Sequence, residues 1–262
     1  MINALTFDIE DYYQVEAFKE FIPFEEWPKY PSRVVANTKK VINILDENNV
    51  KATFFMLGWI AERFPDMVKQ LADDGHEIAT HGYAHEMVYK QSRTAFEEDL
   101  VKSIEILERL SGQKVIGYRA PTYSIIEESL WAIDILIRHH LLYDSSILPI
   151  MHDRYGIPKG ERFPYTIERG NGQTIREFPL STLRFWKWNF PIAGGGYLRL
   201  FPYWFLKKSL QWINRQEKPG IIYLHPWELD PEQPRIPDIP RMARFRHYLN
   251  LRSTATKLRN LI

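Results

Sequence analysis

The chain has 262 residues, no cysteine, an aromatic content of 14% and a formal net charge of +1. This length suffices for one barrel-sized domain that buries roughly three quarters of its unfolded surface, so the fold needs no disulfide bonds. The absence of cysteine excludes a thiol nucleophile and a thiolate metal site, and the balanced charge argues against a broad nucleic-acid-binding surface.

Short apolar strands alternate with amphipathic helices along the whole chain. In chain order, the predicted elements are strand 4–8, helix 34–49, strand 50–56, helix 59–74, strand 76–80, helix 96–110, strand 115–119, helix 130–137, short strands 141–144 and 175–180, helix 203–215 and strand 220–225. This alternation predicts βαβ units and a parallel sheet. No glycine-rich phosphate loop follows the first strand, which argues against a nucleotide-binding sheet.

The remaining segments interrupt this alternation. Residues 145–172 and 183–196 are long connections rich in proline or aromatic residues, and we expect them to form an ordered rim. Residues 229–262 are predicted to be a proline-rich strap followed by one basic amphipathic helix, which docks through Met242, Phe245 and Leu249. The alternative is that this helix binds acidic polymers or lipid headgroups. We therefore expect one domain, residues 1–262, with a core of about 1–228.

The N-terminus has no basic segment followed by a long apolar stretch, so no signal peptide is expected. No window approaches about 18 uncharged apolar residues, so no membrane span is expected either, and the protein is predicted to be cytoplasmic.

Polar residues stand at the ends of five predicted strands: Asp8, His81, Arg119, Asp144 and His225. In a β/α barrel the carboxyl ends of the strands form the catalytic face. Two histidines and one carboxylate make a metal site with open coordination positions, and a second carboxylate with a spare histidine would supply acid/base chemistry. The sequence therefore predicts a metal-dependent hydrolase.

Spacing shows which of the candidate ligands can meet. His81 and His85 are four residues apart, one helical turn, so both imidazoles could reach one ion. Asp8 and Glu10 are two residues apart, so on an extended chain they face the same side. Zinc is the default ion, and cobalt, nickel, manganese or iron could replace it.

Five ordered motifs resemble those of the polysaccharide deacetylase family, also called the NodB-homology or carbohydrate esterase 4 family. They are Thr6-Phe7-Asp8-Ile9-Glu10-Asp11, His81-Gly82-Tyr83-Ala84-His85, Tyr118-Arg119-Ala120-Pro121-Thr122-Tyr123, Tyr143-Asp144-Ser145-Ser146 and Leu224-His225. The chain departs from the family pattern at Ile9, where many members keep a metal-binding aspartate. Other members use an Asp-x-Asp spacing, which implies that Glu10 is the carboxylate ligand here, and Asp11 is the alternative if a turn starts at once. The chain also departs at the additional Thr122 and in the fourth motif, which lacks a tryptophan. A narrower resemblance, to the exosortase-associated exopolysaccharide subgroup, rests on the segments 8–13, 194–197 and 225–234.

The resemblance implies an irregular α/β barrel of the NodB type with about seven parallel strands and a C-terminal strap and helix. It also implies removal of acetyl groups from the amino sugars of an oligo- or polysaccharide, with N- or O-acetyl preference left open. The expected binding partner is then a glycan, and no nucleic-acid partner is expected. The enzyme would be cytoplasmic and peripheral to membrane-bound synthesis machinery.

The resemblance also implies a role for each site residue. Glu10, His81 and His85 hold the metal, Asp8 is the general base, and Arg119 orients Asp8. His225 is the general acid, and Asp144 keeps it protonated. A backbone N–H near Thr122 or Tyr123 binds the oxyanion, and Trp227 lines the substrate site. The nearest rival is a cyclic-imide or amide hydrolase on the same fold. A catalytically silent glycan-binding barrel is a second alternative, and the intact Asp8, Arg119 and His225 argue against it. A non-haem iron oxygenase shares the triad but needs neither Asp8 nor His225.

Overall fold

The computed structural model describes residues 2–152 and 154–262, and its centre is a curled sheet of eight strands. The described residues form ten strands, eight in this sheet and two, β8 and β9, outside it. They are β1 Ala4–Ile9, β2 Thr53–Met56, β3 Glu77–Thr80, β4 Gly117–Tyr118, β5 Tyr143–Asp144, β6 Tyr165–Arg169, β7 Gln173–Glu177, β8 Thr182–Phe185, β9 Trp188–Pro191 and β10 Ile221–Leu224. The α-helices are α1 Val34–Glu47, α2 Gly58–Arg63, α3 Pro65–Asp73, α4 Arg93–Ser111, α5 Trp131–Arg138, α6 Gly195–Leu200, α7 Tyr203–Asn214, α8 Arg241–Tyr248 and α9 Leu251–Leu261.

The order of strands in the main sheet is β10-β1-β2-β3-β4-β5-β7-β6. Every neighbouring pair from β10 to β7 is parallel, and β6 joins the edge antiparallel to β7. The predicted α/β class with seven parallel strands is thus confirmed. The sheet is an open half-barrel, because β10 and β6 are its two edges, and β8 with β9 forms a separate hairpin.

The register of the parallel strands brings the polar strand ends to one edge of the sheet. Asp8 pairs with Phe55 of β2, Thr80 of β3 with Tyr118 of β4, and Tyr118 with Asp144 of β5. Parallel strands point in one direction, so their carboxyl ends share an edge. Asp8, His81, Arg119, Asp144 and His225 therefore lie along the same edge, as the sequence predicted.

Buried apolar side chains fill the space between the sheet and its helices. Phe7 of β1 stacks on Phe54 of β2 at 5.3 Å between ring centroids. Val41 and Leu45 of α1 are fully buried, which matches the apolar face expected from their helical spacing. This packing fixes β1, the strand that carries Asp8, in the interior of the sheet.

Three sequence-based boundaries were wrong. The helix predicted at 59–74 is two helices, because Pro65 follows Phe64 and a proline cannot continue the hydrogen-bond ladder of the preceding turn. The long connection 145–172 contains β6, and the connection 183–196 contains most of the β8–β9 hairpin and the start of α6.

The C-terminal helix is also two helices, α8 and α9, divided at Asn250, which has a left-handed φ of 52°. The predicted docking face was wrong, because Met242 and Phe245 are exposed. Leu251 and Leu258 of α9 are buried instead. No helix in the described part of the chain is long and apolar enough to cross a membrane.

Candidate metal centre and its acid and base

Glu10, His81 and His85 form a buried cluster in which one ligand atom from each lies within 4.8 Å of the other two. The Nε2 atoms of His81 and His85 are each 3.1 Å from Oε1 of Glu10. The Nδ1–H of His81 donates to the carbonyl oxygen of Arg119 at 2.7 Å, which fixes the ring and turns Nε2 toward Glu10. This geometry favours Glu10 as the carboxylate ligand.

Asp11, the alternative ligand, has a structural role instead. Its Oδ2 accepts hydrogen bonds from the hydroxyl of Ser32 at 2.6 Å and from the backbone N–H groups of Arg33 at 2.9 Å and Val34 at 3.2 Å. These groups open helix α1, where backbone N–H groups have no partner within the helix. The carboxylate of Asp11 therefore satisfies the start of α1.

The two histidines meet through a loop and not through a helical turn, which corrects the expectation from their spacing. Gly82 and His85 both adopt left-handed backbone conformations, with φ of 76° and 55°. The half-buried carboxylate of Asp99 in α4 holds this loop, since it accepts from the N–H of Tyr83 at 2.7 Å and of Ala84 at 3.2 Å. An added Cβ on Gly82 would lie 2.8 Å from Oδ2 of Asp99, so glycine is needed there for space as well as for its φ.

Asp8 and Arg119 form the buried ion pair that the sequence predicted. Nη1 of Arg119 donates to Oδ1 of Asp8 at 2.6 Å, and neither side chain is more than 3% exposed. The guanidinium is itself held by the carbonyl and the hydroxyl of Ser145, at 3.2 and 2.9 Å. Asp8 is thus held in a fixed orientation beside the cluster of Glu10, His81 and His85.

His225 follows β10 and points toward the same cluster, with Nε2 3.7 Å from Oε1 of Glu10. Its carboxylate partner is Glu228 and not Asp144, which corrects the predicted pairing. Oε1 of Glu228 accepts from Nδ1 of His225 at 2.8 Å and from the backbone N–H of His225 at 2.9 Å. The pairing is local because Glu228 lies three residues on, in the 3₁₀ turn Pro226–Leu229.

Glu228 is held on its other side by Arg199 of α6. Nε of Arg199 donates to Oε2 of Glu228 at 2.7 Å, and Nη1 donates to the carbonyl oxygens of His247 at 2.7 Å and Leu249 at 2.9 Å. The result is a buried chain of charge-assisted hydrogen bonds from the C-terminal helices through Arg199 and Glu228 to His225.

Two glycines make room for this chain. A Cβ on Gly195 would lie 2.3 Å from Oε1 of Glu228, and a Cβ on Gly194 would lie 1.9 Å from the ring of Tyr223. The third glycine, Gly196, has no atom within 4 Å of an added Cβ. Two of the three consecutive glycines are therefore required by close contacts.

Burial and neighbouring charges shift the ionisation of this group. Burial alone would raise the pKa of Glu10, but the imidazoles of His85, His225 and His81 outweigh burial and hold that pKa well below its usual value. Burial alone would lower the pKa of His225, but the carboxylates of Glu10 and Glu228 raise it to about 9. For Glu228, burial opposes ionisation, and Arg199 with His225 overcomes it and lowers the pKa.

Asp144 lies in a second buried carboxyl pair with Glu177. Asp144 accepts from the hydroxyl of Ser146 at 2.5 Å, and the same hydroxyl accepts from the N–H of Ala120 at 2.7 Å. Oε1 of Glu177 accepts from the N–H of Ile147 at 3.0 Å. Burial raises the pKa of Asp144 to about 6, and burial together with Asp144 raises the pKa of Glu177 well above its usual value. This pair supports the loop after Arg119 from behind.

The two residues assigned to the substrate, Tyr123 and Trp227, are both buried. The hydroxyl of Tyr123 lies 3.5 Å from Oδ2 of Asp8, and Thr122 and Tyr123 both have left-handed φ values, of 56° and 53°. The N–H of Tyr123 closes a turn on the carbonyl of Ala120, so Thr122 has the backbone N–H that remains a candidate for the predicted oxyanion contact.

Trp227 is only 4% exposed and lies between the rings of His225 and His247, at 5.2 and 4.2 Å. It supports His225 and offers little surface to a sugar.

Sequence reasoning missed Glu228, Arg199 and Asp99. For Glu228 a signal was present, because a histidine before a proline with a glutamate three residues later has the spacing of a capping box. Arg199 and Asp99 lie inside helices, and nothing in their local sequence marks them.

The donor set fits a divalent cation. One carboxylate and two imidazoles, all buried and within reach of one point, leave coordination positions open for water and substrate. The hydrogen bond from Nδ1 of His81 to a backbone carbonyl is the outer contact that metal-binding histidines usually make.

Comparison with known proteins identifies the class to which this fold and site belong. Residues 4–135 match the family described as polysaccharide deacetylase, and residues 145–262 match a domain of unknown function, DUF3473. The first match covers half of the chain. The chain therefore belongs to the polysaccharide deacetylase family.

Individual relatives match over shorter segments. A peptidoglycan-N-acetylglucosamine deacetylase of Bacillus cereus is 41% identical over 98 residues, which are 37% of this chain and 36% of the relative. A peptidoglycan deacetylase of Helicobacter pylori is 29% identical over 132 residues, 49% of this chain and 44% of the relative. Each match thus spans less than half of the relative's length.

A crystal structure of a Mycobacterium smegmatis protein assigned to the polysaccharide deacetylases superposes with a TM-score of 0.66 at 22% identity, covering 99% of this chain and 82% of the other. At this identity the likeness establishes the shared fold.

Proposed function

We propose that this protein is a metal-dependent hydrolase that removes acetyl groups from the amino sugars of a polysaccharide or of its precursor, in exopolysaccharide biosynthesis. Membership in the polysaccharide deacetylase family supports a carbohydrate deacetylase. The observation that carries the proposal is the convergence of three units on one point: the cluster of Glu10, His81 and His85, the pair of Asp8 with Arg119, and His225 held by Glu228.

The residues divide the reaction between them. When bound by Glu10, His81 and His85, a divalent cation, for which we propose zinc, supplies Lewis acidity that polarises a carbonyl and acidifies water. Asp8, oriented by Arg119, accepts the proton of the attacking water as the new C–O bond forms. The backbone N–H of Thr122 donates to the developing oxyanion.

His225 completes the reaction. Its Nδ1–H is held by Glu228, so Nε2 carries the transferable proton toward the cluster. As the C–N bond breaks, Nε2 donates this proton to the departing amine nitrogen, and acetate and a free amino sugar result. An O-acetyl substrate would receive the same proton on its alkoxide oxygen.

Two finer assignments rest on other observations. The segments 194–197 and 225–234 resemble the exosortase-associated subgroup, which supports a role in exopolysaccharide synthesis. We propose a single domain for residues 1–262, because strands from both matched segments, 4–135 and 145–262, join in one sheet.

The proposal is tested by acetate release from N-acetylglucosamine oligomers. The chelator-treated protein should be inactive, and added zinc or cobalt should restore release, while Asp8→Asn should bind the metal and release nothing. Stoichiometric metal uptake without acetate release from any acetylated glycan would contradict the deacetylase and favour a cyclic-imide or amide hydrolase.

A further inference from the structure

The β8–β9 hairpin, residues Thr182–Pro191, exposes an aromatic surface that the proposed reaction does not use. Phe185 is 73% exposed, Trp186 86%, Trp188 53% and Phe190 50%. Exposed apolar side chains scattered singly need no explanation, but a contiguous group of this size marks an interaction site.

The pairing of the strands shows that the aromatic residues share one face. Phe185 lies opposite Trp188, and residues directly opposite in an antiparallel pair point to the same side. The opposite face carries Arg184 and Asn189, and Nδ2 of Asn189 donates to the carbonyl of Pro149 at 2.6 Å. That face is turned toward the body of the protein, so the aromatic face is turned away from it.

The tip of the hairpin is strained. Trp186 has a left-handed φ of 55° in a two-residue turn, where glycine or asparagine is the usual choice. Its side chain gains no burial in return. A bulky residue that is held in a costly conformation while 86% exposed is a candidate contact for a partner outside the chain.

Helix α7 adds a second group of the same chemistry. Trp204 and Trp212 are 60% and 42% exposed, and Lys208 lies between them at helical spacing. Arg162 connects the two elements, since Nη2 donates to the carbonyl of Thr182 at 2.6 Å and its guanidinium carbon lies 6.0 Å from the ring of Trp212. We call the hairpin and this side of α7 the aromatic-basic surface.

The charge of this region is one-sided. Residues 178–216 contain six lysine and arginine residues and no aspartate or glutamate, although the whole chain has a net charge of only +1.

Aromatic residues interleaved with lysine and arginine are typical of segments that lie at the interface of an anionic bilayer, with indole rings at headgroup level and cations at the phosphates. A sugar platform, by contrast, is concave and combines its aromatic faces with converging polar groups. The hairpin tip is a projection that exposes its largest ring almost completely.

We propose that the aromatic-basic surface binds the surface of an anionic lipid bilayer, with Phe185, Trp186 and Trp188 inserted at headgroup level. Lys187 of the turn then contacts the lipid phosphates, and so does Arg184, whose exposed side chain is long enough to reach past the edge of the hairpin although its backbone position belongs to the other face. This binding holds the enzyme at a membrane without a spanning helix, and it requires neither the metal nor a sugar substrate.

Vesicle sedimentation tests the proposal. The full-length protein should sediment with vesicles of phosphatidylcholine mixed with phosphatidylglycerol and not with phosphatidylcholine alone. The double variant Trp186→Ser/Trp188→Ser should lose at least about tenfold in partition. Arg184→Gln/Lys187→Gln should lose about thirtyfold, since each basic residue near the surface contributes about fivefold.

The matched control is Phe245→Ser in α8, an aromatic residue of similar exposure among arginines on another element. It should sediment as the parent chain does and keep the quenching of its tryptophan fluorescence by brominated lipids, whereas Trp186→Ser/Trp188→Ser should lose that quenching. Because both tryptophans are exposed, this variant should retain acetate release from soluble oligomers.

Three results would overturn the proposal. The first is failure of the parent chain to sediment with anionic vesicles, and the second is loss of binding in Phe245→Ser while the hairpin variants keep it. The third is that the hairpin variants leave vesicle binding unchanged but lose another interaction. That interaction would be either a dimer seen by native mass spectrometry or retardation in a gel containing an acidic polysaccharide. That result would assign the surface to a second copy or to a glycan.

Discussion

The contact between Glu228 and His225 can be perturbed without touching either residue, through Gly195→Ala. The new Cβ would lie 2.3 Å from Oε1 and 2.8 Å from the carboxyl carbon of Glu228, where ordinary contacts begin at 3.4 Å. The carboxylate must therefore move by about 1 Å, which exceeds the range of lengths over which a hydrogen bond persists. Gly195 has no left-handed φ, so alanine itself fits the backbone.

The magnitude follows from the bonds at stake. Oε1 of Glu228 holds the ring of His225 at 2.8 Å and its backbone N–H at 2.9 Å. A hydrogen bond to a charged group contributes about 1.5–3 kcal/mol, which corresponds to a fall of about 10- to 150-fold in kcat/KM. Gly196→Ala is the control, because its Cβ meets no atom within 4 Å and alanine favours the helix α6.

The assay compares kcat/KM for acetate release, bound metal and the ¹⁵N chemical shifts of His225 in both variants. Gly195→Ala should keep its metal, lose activity through kcat and show an altered Nδ1 resonance, and Gly196→Ala should match the parent. Equal activity of the two variants would refute the reasoning that Glu228 positions His225. Glu228→Gln should act in the same direction, since an amide has one carbonyl oxygen and cannot accept from both His225 and Arg199.

Three further outcomes are expected. His81→Ala should lose metal and activity together while circular dichroism stays unchanged, and full activity would exclude His81 as a ligand. Asp8→Asn should abolish turnover with the metal retained, measured by elemental analysis, and loss of the ion would make Asp8 a ligand instead of the base. For the buried pair of Asp144 and Glu177, burial raises both pKa values in the folded state, that of Asp144 to about 6. The pair therefore favours folding below about pH 4, and this contribution is lost as pH rises through about 6. Glu177→Gln should make the free energy of unfolding in urea less dependent on pH between about pH 5 and pH 8, and an unchanged dependence would refute the assignment.

The fold and the position of the site could be predicted from sequence because both follow from one regularity. Alternating strand and helix patterns specify a parallel sheet, and in such a sheet a residue at a strand end is assigned to an edge without knowledge of its neighbours. Asp8, His81, Arg119 and His225 were located in this way. The loop that carries His81 and His85 was placed at the correct edge of the sheet but with the wrong local geometry, since a spacing of four suits a helical turn and this loop uses the left-handed residues Gly82 and His85.

The partner of His225 could not be obtained from strand ends. Asp144 was chosen because it ends β5, whereas Glu228 lies in a 3₁₀ turn and its partner Arg199 is far along the chain in α6. The hairpin was missed because its turn residues, Trp186 and Lys187, are not those that usually mark a tight turn. The partner of His225 is therefore set by a local capping-box spacing that an argument from strand ends overlooks, whereas no local turn preference marks the hairpin.

The distribution of the site between the two matched segments bears on the domain of unknown function. Residues 4–135 contribute the cluster of Glu10, His81 and His85 together with Asp8 and Arg119. Residues 145–262 contribute the proposed acid His225, with Glu228 and Arg199, and also β10, which pairs with β1 along the strand that carries Asp8. A chain ending near residue 135 would expose the buried edge of β1 and would lack a proton donor for the leaving group. The second segment is therefore better understood as one half of the candidate site, the half that carries the proposed acid, than as an appended binding module, and its aromatic-basic surface is the part of the chain that we propose binds an anionic bilayer.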